Sequence, residues 1–157
     1  MDWLSVAGRR FCLTKAMCTD VGEIVDLLRD DVFGAVRESA EVGRYHAAFA
    51  RIDADPNQLL LVVRDERRQL AATMQLTLIP GLARGAALRL QVEAVRVAAE
   101  FRGIGLGGAV FNWVFDYGRH AGASLVQLTT DARRAEAQQF YQRLGFEPTH
   151  IGMKLEL

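Results

Sequence analysis

The run Val92-Glu93-Ala94-Val95-Arg96-Val97-Ala98-Ala99-Glu100-Phe101-Arg102-Gly103-Ile104-Gly105-Leu106-Gly107-Gly108 reads as a strand, a short connection and a set of glycines that open a helix. The glycines leave a series of main-chain N–H groups with little side chain to shield them. A helix N-terminus adds partial positive charge, so an anion, above all a phosphate, is well placed there. The strand starts at Leu88. Period two puts Leu88, Leu90, Val92 and Ala94 on one face and Arg89, Gln91, Glu93, Val95 and Val97 on the other. One face is apolar throughout and the other turns from polar to apolar, the pattern of a strand that borders a cleft.

Downstream, Leu106, Ala109, Val110, Trp113, Val114 and Tyr117 fall on one stripe of a helix that Gly122 ends. Ser124 to Thr129 is a short apolar strand, so the unit is strand–helix–strand, parallel and right-handed. A last helix places Ala137, Phe140, Tyr141 and Leu144 on one side and stops at Gly145. From Phe146 to Leu157 the chain predicts a closing strand, with Ile151, Met153, Leu155 and Leu157 alternating against Gly152, Lys154 and Glu156.

Upstream, Leu59 to Arg64 and Leu70 to Ile79 read as two strands joined by the polar connection Asp65 to Arg68, with Pro80-Gly81 ending the second. Before them the spacing predicts two helices. The first has a capping box of Asp20 and Glu23, the apolar positions Val21, Ile24, Val25, Leu28 and Val32, and an end near Gly34. The second carries Val42, Tyr45, Phe49 and Ile52 and stops at the turn Asp53 to Asn57. Arg10 to Ala16 reads as a first, edge strand. Without repeats or linkers, residues 1–157 form one α/β domain.

Composition narrows the function classes. The 157 residues include 19 basic and 19 acidic side chains, so no global charge draws nucleic acid or an anionic membrane. No stretch approaches the roughly 20 apolar residues of a membrane span, and Met1 to Phe11 has no signal-peptide core. Cys12 and Cys18 lack metal spacing and read as free thiols of a reducing compartment, which places the protein in the cytoplasm. His46, His120 and His150 also lack metal spacing, so no metal is expected.

Glycine-rich phosphate sites come in several kinds. A nucleoside-triphosphate loop needs Gly-Lys-Ser/Thr, and no lysine is near. Gly103, Gly105 and Gly108 satisfy the dinucleotide fingerprint, with Asp131 after the next strand. However, Ala98 to Arg102 separates the strand from the first glycine, and too few strands follow for the usual sheet. A tight turn with glycines for close packing accounts for the same residues without any ligand. Two motifs carry a third reading. Arg102-Gly103-Ile104-Gly105-Leu106-Gly107 is similar to the [Gln/Arg]-x-x-G-x-[Gly/Ala] pyrophosphate loop of the GNAT superfamily of acyl-CoA-dependent N-acetyltransferases. Ala137-Gln138-Gln139-Phe140-Tyr141-Gln142-Arg143-Leu144-Gly145-Phe146 resembles that family's A-x-x-F-Y-x-x-L-G-F signature. The order of elements over nearly the whole chain resembles it too.

The resemblance implies a mixed central sheet with helices on both faces, acetyl-CoA as acyl donor, and an amine acceptor that attacks the thioester directly. It implies that Gly103 to Gly108 bind the pyrophosphate, with Arg102, Ile104 and Leu106 in the same loop. The main chain of Val95, Arg96 and Val97 would pair with the pantetheine arm and polarise the thioester carbonyl. Where the family often has asparagine, Arg134 stands, and an arginine can meet a phosphate. Tyr141 would be the general acid for the departing thiolate, although its place on an apolar stripe also fits a core aromatic. Glu93 would be the base, through a water, on the face of Val95 and Val97; an ion-paired strand carboxylate is the plainer account. Gln91 could orient that water. A solvated or ion-paired strand arginine explains Arg96 more simply than a specificity residue does.

Substrate choice would come from the first two helices and the Pro80 loop, where Asp30, Asp31, Glu38 and Glu41 mix with Arg29, Arg37 and Arg44. The acceptor is a small-molecule or peptide amine, and a homodimer is common in similar proteins. Two alternatives stand beside the enzyme: a non-catalytic acyl-CoA-binding module on the same scaffold, and a dinucleotide-dependent enzyme.

Overall fold

The structure, a computed structural model, describes residues 1–30 and 41–156. Its strands are β1 (Asp2–Val6), β2 (Arg9–Lys15), β3 (Gln58–Asp65), β4 (Leu70–Pro80), β5 (Leu88–Val97) and β6 (Leu125–Leu128). Its main helices are α1 (Val21–Arg29), α2 (Val42–Ala54), α3 (Leu106–His120) and α4 (Ala135–Arg143), and Ala83–Ala86 adds a single helical turn. The strands lie in chain order in one six-stranded sheet. Neighbours are antiparallel from β1 to β5, and β6 joins β5 in parallel. The sheet is therefore mixed, and the strand–helix–strand unit has its expected parallel pairing.

Each strand deals its side chains to two cores. Leu61 and Val63 of β3 join Met74, Leu76, Leu90 and Val92 under α3, with Phe111 and Val114 at the centre. Val62, one step out of phase, packs with Val21, Ile24, Val25 and Phe49 of α1 and α2 on the other face. The helices thus cover both faces, as the resemblance implies.

Four expectations need correction. The first strand is not Arg10–Ala16 at an edge. Ala7 (φ 49°) and Gly8 (φ 74°) turn the chain back, so β1 is the edge strand and β2 sits inside the sheet. β1 is held further by Trp113, whose Nε1–H donates to Asp2 at 2.8 Å, and Trp3 lies under the Arg10 guanidinium at 4.7 Å.

Asp20 does not box with Glu23. Its carboxylate accepts the Met17 N–H at 2.7 Å and the Arg64 guanidinium at 2.7 Å, while Glu23 reaches the same guanidinium at 2.6 Å. A buried acid with a β3 cation in reach thus ties α1 to the sheet. The closing strand is absent: residues 151–156 join no strand, and Ile151, Met153 and Leu155 are almost fully exposed. The strict alternation along β5 also fails, as described below. Val32, the end near Gly34, and Leu157 lie outside the described residues.

Candidate active site

β5 and β6 pair only from Arg89↔Leu125 to Val92↔Leu128. β5 then runs on to Val97 while the chain after Leu128 turns towards α4. Among the described residues, the edge of residues 93–97 that faces away from β4 therefore has no strand beside it, and the sheet parts there in a cleft. An extended ligand can lie along such an edge as an added strand does.

A bulge sits at the mouth of this cleft. Gln75 pairs with Glu93 but Thr73 pairs with Arg96, so β5 spends one more residue than β4 between the two pairs. Ala94 takes the extra turn at φ 52°, a left-handed conformation that costs an alanine energy. Directly paired residues share a face, so Glu93 and Arg96 lie together with Thr73 and Gln75. Val97, opposite Ala72, lies with Val92 on the α3 side. Glu93 therefore does not share a face with Val97: the bulge reverses the phase that period two predicts.

The face of Glu93 has a polar floor. Gln58, Thr77, Gln91 and Gln127 lie opposite one another across β3, β4, β5 and β6. The Thr77 hydroxyl donates to Gln58 at 2.8 Å, the Gln75 amide donates to Gln58 at 3.0 Å, and the Gln127 amide donates to Gln91 at 2.7 Å. Four polar side chains in one row across the sheet, beside Gln75 and Glu93 on the same face, form a surface suited to a polar ligand. The sequence marks Gln91. Gln58 and Gln127 become part of the site only through strand register.

At the far end of β5, a 3₁₀ turn (Ala99–Phe101) leads to the glycine loop. Gly103 (φ 77°) and Gly105 (φ 89°) hold left-handed conformations there. The Ala109 N–H donates to the Gly105 carbonyl at 3.1 Å, the first bond of α3, so the N–H groups of Leu106 to Gly108 precede the helical ladder and face outward. A Cβ at Gly103 or Gly108 would meet nothing within 4 Å, which leaves the loop open to an approaching anion. Gly107 differs. A Cβ there would lie 3.2 Å from Phe140 Cζ and 4.0 Å from Val97 Cγ2, so its bare backbone brings β5, α3 and α4 together. For this one glycine, close packing is the reason. Arg102 donates through Nε to the Val97 carbonyl at 2.8 Å and faces Asp30 at 3.5 Å, at the end of α1.

Tyr141 closes the cleft from α4. Its ring is wedged among Phe111, Phe140 and Phe146, with centroids 5.7, 5.3 and 5.9 Å away. Burial pushes its phenol above the usual tyrosine range, while the charges of Arg96 and Arg134 pull the other way. The structure thus brings Tyr141, Arg96 and Arg134 together. The Arg96 guanidinium donates to the Val95 carbonyl at 2.8 Å. Arg134 stands just before α4, its N–H donating to the Asp131 carbonyl at 2.9 Å.

Glu93 is exposed. Of the charged residues expected to choose the substrate, Arg44 pairs with Glu41 at 2.5 Å and Arg29 with Asp26 at 3.4 Å, while Asp31, Arg37 and Glu38 lie outside the described residues. Among the described residues no group of three potential ligands could hold a metal ion, and no helix is long and apolar enough to cross a membrane.

Residues 23–146 match the model of a family described as "Acetyltransferase (GNAT) family". Over 61 residues, 39% of this chain, the sequence is 32% identical to an aminoalkylphosphonate N-acetyltransferase of Salmonella typhimurium. An uncharacterized N-acetyltransferase of Methanocaldococcus jannaschii is 33% identical over 61 residues, and the matches span 40% and 27% of these two curated relatives, less than half of either. Among solved structures, one described as a transcriptional regulator from Bacillus halodurans C-125 superposes with a TM-score of 0.88 at 33% identity, covering 94% of this chain and 99% of that one. Glucosamine-6-phosphate N-acetyltransferase from Arabidopsis thaliana shares the fold, with a TM-score of 0.74 at 23% identity over 93% of this chain and 97% of that one.

Proposed function

The chain belongs to the acetyltransferase (GNAT) family, and from that premise we propose that it moves an acetyl group from acetyl-CoA to a primary amine, the two substrates being bound together. The observation that carries the reading is one continuous path. The bare backbone of Gly107 admits Phe140 of α4, whose ring meets that of Tyr141, and Val97 of β5. The glycine loop thus adjoins both the open edge and the helix that carries Tyr141, which supports an anion site, an extended-ligand edge and a proton donor in one region.

When bound, acetyl-CoA supplies an acyl carbon already activated as a thioester. Leu106 to Gly108 present N–H groups to the pyrophosphate, with Arg102 at the loop's start and Arg134 across the cleft as cationic partners. The open edge of Val95 to Val97 holds the pantetheine arm, and an N–H of that edge receives the negative charge that grows on the carbonyl oxygen. Glu93, through a water steadied by Gln91, takes one proton from the acceptor ammonium. The freed nitrogen then forms the C–N bond as the C–S bond breaks, and the new amide nitrogen sheds its second proton to solvent. Tyr141 gives its proton to the departing thiolate and regains one from solvent; a phenol is protonated at neutral pH and so ready for this role. No enzyme nucleophile is needed. The polar floor from Gln58 to Gln127 receives the acceptor, and the ends of α1 and α2 with the Pro80 loop select it. The exposed thiol of Cys18 is consistent with a cytoplasmic setting.

A second reading rests on the Bacillus halodurans relative, described as a transcriptional regulator. In it the chain would be a non-catalytic acyl-CoA-binding module. One experiment separates the readings. Acetyl-CoA at about 100 times its Kd should add about 2.7 kcal/mol of stability in either case. Only the enzyme releases free CoA thiol when offered a panel of amines. A melting temperature unmoved by acetyl-CoA and raised by NAD(P) sinks both and leaves the dinucleotide reading.

A further inference from the structure

Arg89 stands on the same face of the sheet as Gln91 and Glu93, two and four residues before them on β5. Its partners across the sheet are Ile79 on β4 and Leu125 on β6. Neither of these apolar side chains belongs to the two cores, so the three continue the polar floor as a shelf towards the Pro80 end. The guanidinium leans that way: its Nη2 would lie 4.0 Å from a Cβ on Gly81.

Arg89 is half-buried, yet among the described residues no hydrogen-bond or ion-pair acceptor meets it. Other half-buried arginines have theirs. Arg64 holds Asp20 at 2.7 Å, and Arg96 holds the Val95 carbonyl at 2.8 Å. A cation drawn partly out of water gains from an anion beside it, and here the shelf leaves room for one to come from a ligand.

Spacing sets the size of that ligand. A rise of about 3.3 Å per residue puts the Cα atoms of Arg89 and Glu93 about 13 Å apart. Glu93 and its water reach in from one end, and the Arg89 guanidinium waits at the other. An acceptor of about 10 Å, three extended residues, spans the interval. Gln91 and Gln127 lie between. Gln91 spends its amide oxygen on Gln127 at 2.7 Å, which leaves N–H groups of Gln91 to donate and the oxygen of Gln127 to accept. That pair is the complement of one peptide group.

Resting on the acetyl-transfer reading above, we propose that the acceptor is a short peptide-like amine with a carboxylate at its far end. Its amine lies at Glu93, its peptide groups lie over Gln91 and Gln127, and its carboxylate is held by Arg89. Arg89 is then a specificity-determining residue. Its planar fork of N–H donors matches a carboxylate in charge and shape, and an uncharged amide gains much less from it.

Triglycine and triglycine amide share an amine and a length and differ in charge at the far end, so they are the probes. With saturating acetyl-CoA, release of free CoA thiol by the full chain should give triglycine the higher kcat/KM by about tenfold or more, carried by KM. Arg89→Gln should bring the ratio of the two peptides to within about twofold of one, and Arg89→Lys should keep part of the preference. Equal use of the two peptides by the unaltered protein overturns the proposal. So does an Arg89→Gln variant that slows both alike and leaves the ratio standing, or turnover confined to amines without an acid. In those cases amines are still acetylated and this inference fails alone. If no amine releases thiol, the acetyl-transfer reading fails and takes this one with it.

Discussion

At Tyr141, burial holds the proton while two guanidinium groups ease its release. A general acid needs both. It must remain protonated until the thiolate forms, and the phenolate it leaves must find nearby positive charge. Arg96 and Arg134 supply that charge without competing for the proton. Tyr141→Phe should lower kcat about 100-fold, with little change in KM for acetyl-CoA. Glu93→Gln should act differently. Its loss should be greatest at low pH, where the acceptor is almost all ammonium, and should shrink as pH rises and free amine becomes abundant. Pre-steady-state rates between pH 6 and pH 9 check both. A flat ratio for Glu93→Gln removes the base role, and full turnover by Tyr141→Phe removes the acid.

At the scale of elements, the glycine loop, α3 and α4 are legible in the sequence because local chemistry dictates them. Gly103 and Gly105 are needed where the backbone turns left-handed, and the α4 signature coincides with an apolar helical stripe. The bulge in β5 is not legible. Ala94 carries no glycine or proline to mark it, and alternating residues run straight through it. Only the pairing with β4 shows the extra residue, so Glu93 and Val97 part company there. The polar floor is hidden for a related reason. Gln58 and Gln127 are far apart in the chain and become neighbours only by register. The closing strand is misread because period two reports which residues could face a core and does not say whether a segment pairs. Glycines offer a clean check on the loop. Gly108→Ala should raise the stability of the free protein by about 0.5–1 kcal/mol, since helix propensity improves and nothing is within 4 Å, and should weaken acetyl-CoA binding. Gly107→Val should instead cost about 2 kcal/mol by pressing on Phe140. Calorimetry with and without acetyl-CoA distinguishes the two.

Across the whole molecule, two cores sit on opposite faces of one sheet, and the proposed chemistry lies at the side where that sheet parts. Burial also raises the phenol of Tyr117, on α3. In the unfolded chain both phenols ionise near pH 10. In the folded chain they hold their protons to higher pH. Above about pH 10 the unfolded state therefore binds fewer protons, and stability falls as pH rises. Below that pH these two groups contribute their full share. Urea melts between pH 8 and pH 11 should show the decline, and Tyr141→Phe should make it shallower. An equal slope in the variant assigns the effect elsewhere.

The chain has two tryptophans, and both report on one place. Trp3 belongs to β1, and Trp113 is tied to β1 through Asp2 while its ring stacks on Tyr117 at 5.5 Å. Intrinsic emission from this protein is therefore an optical gauge of the first hairpin's attachment. That hairpin also reaches the glycine loop, where Val6 Cγ1 lies 3.9 Å from the place a Cβ on Gly105 would take, so a ligand seated in the loop should change that emission by direct contact with β1.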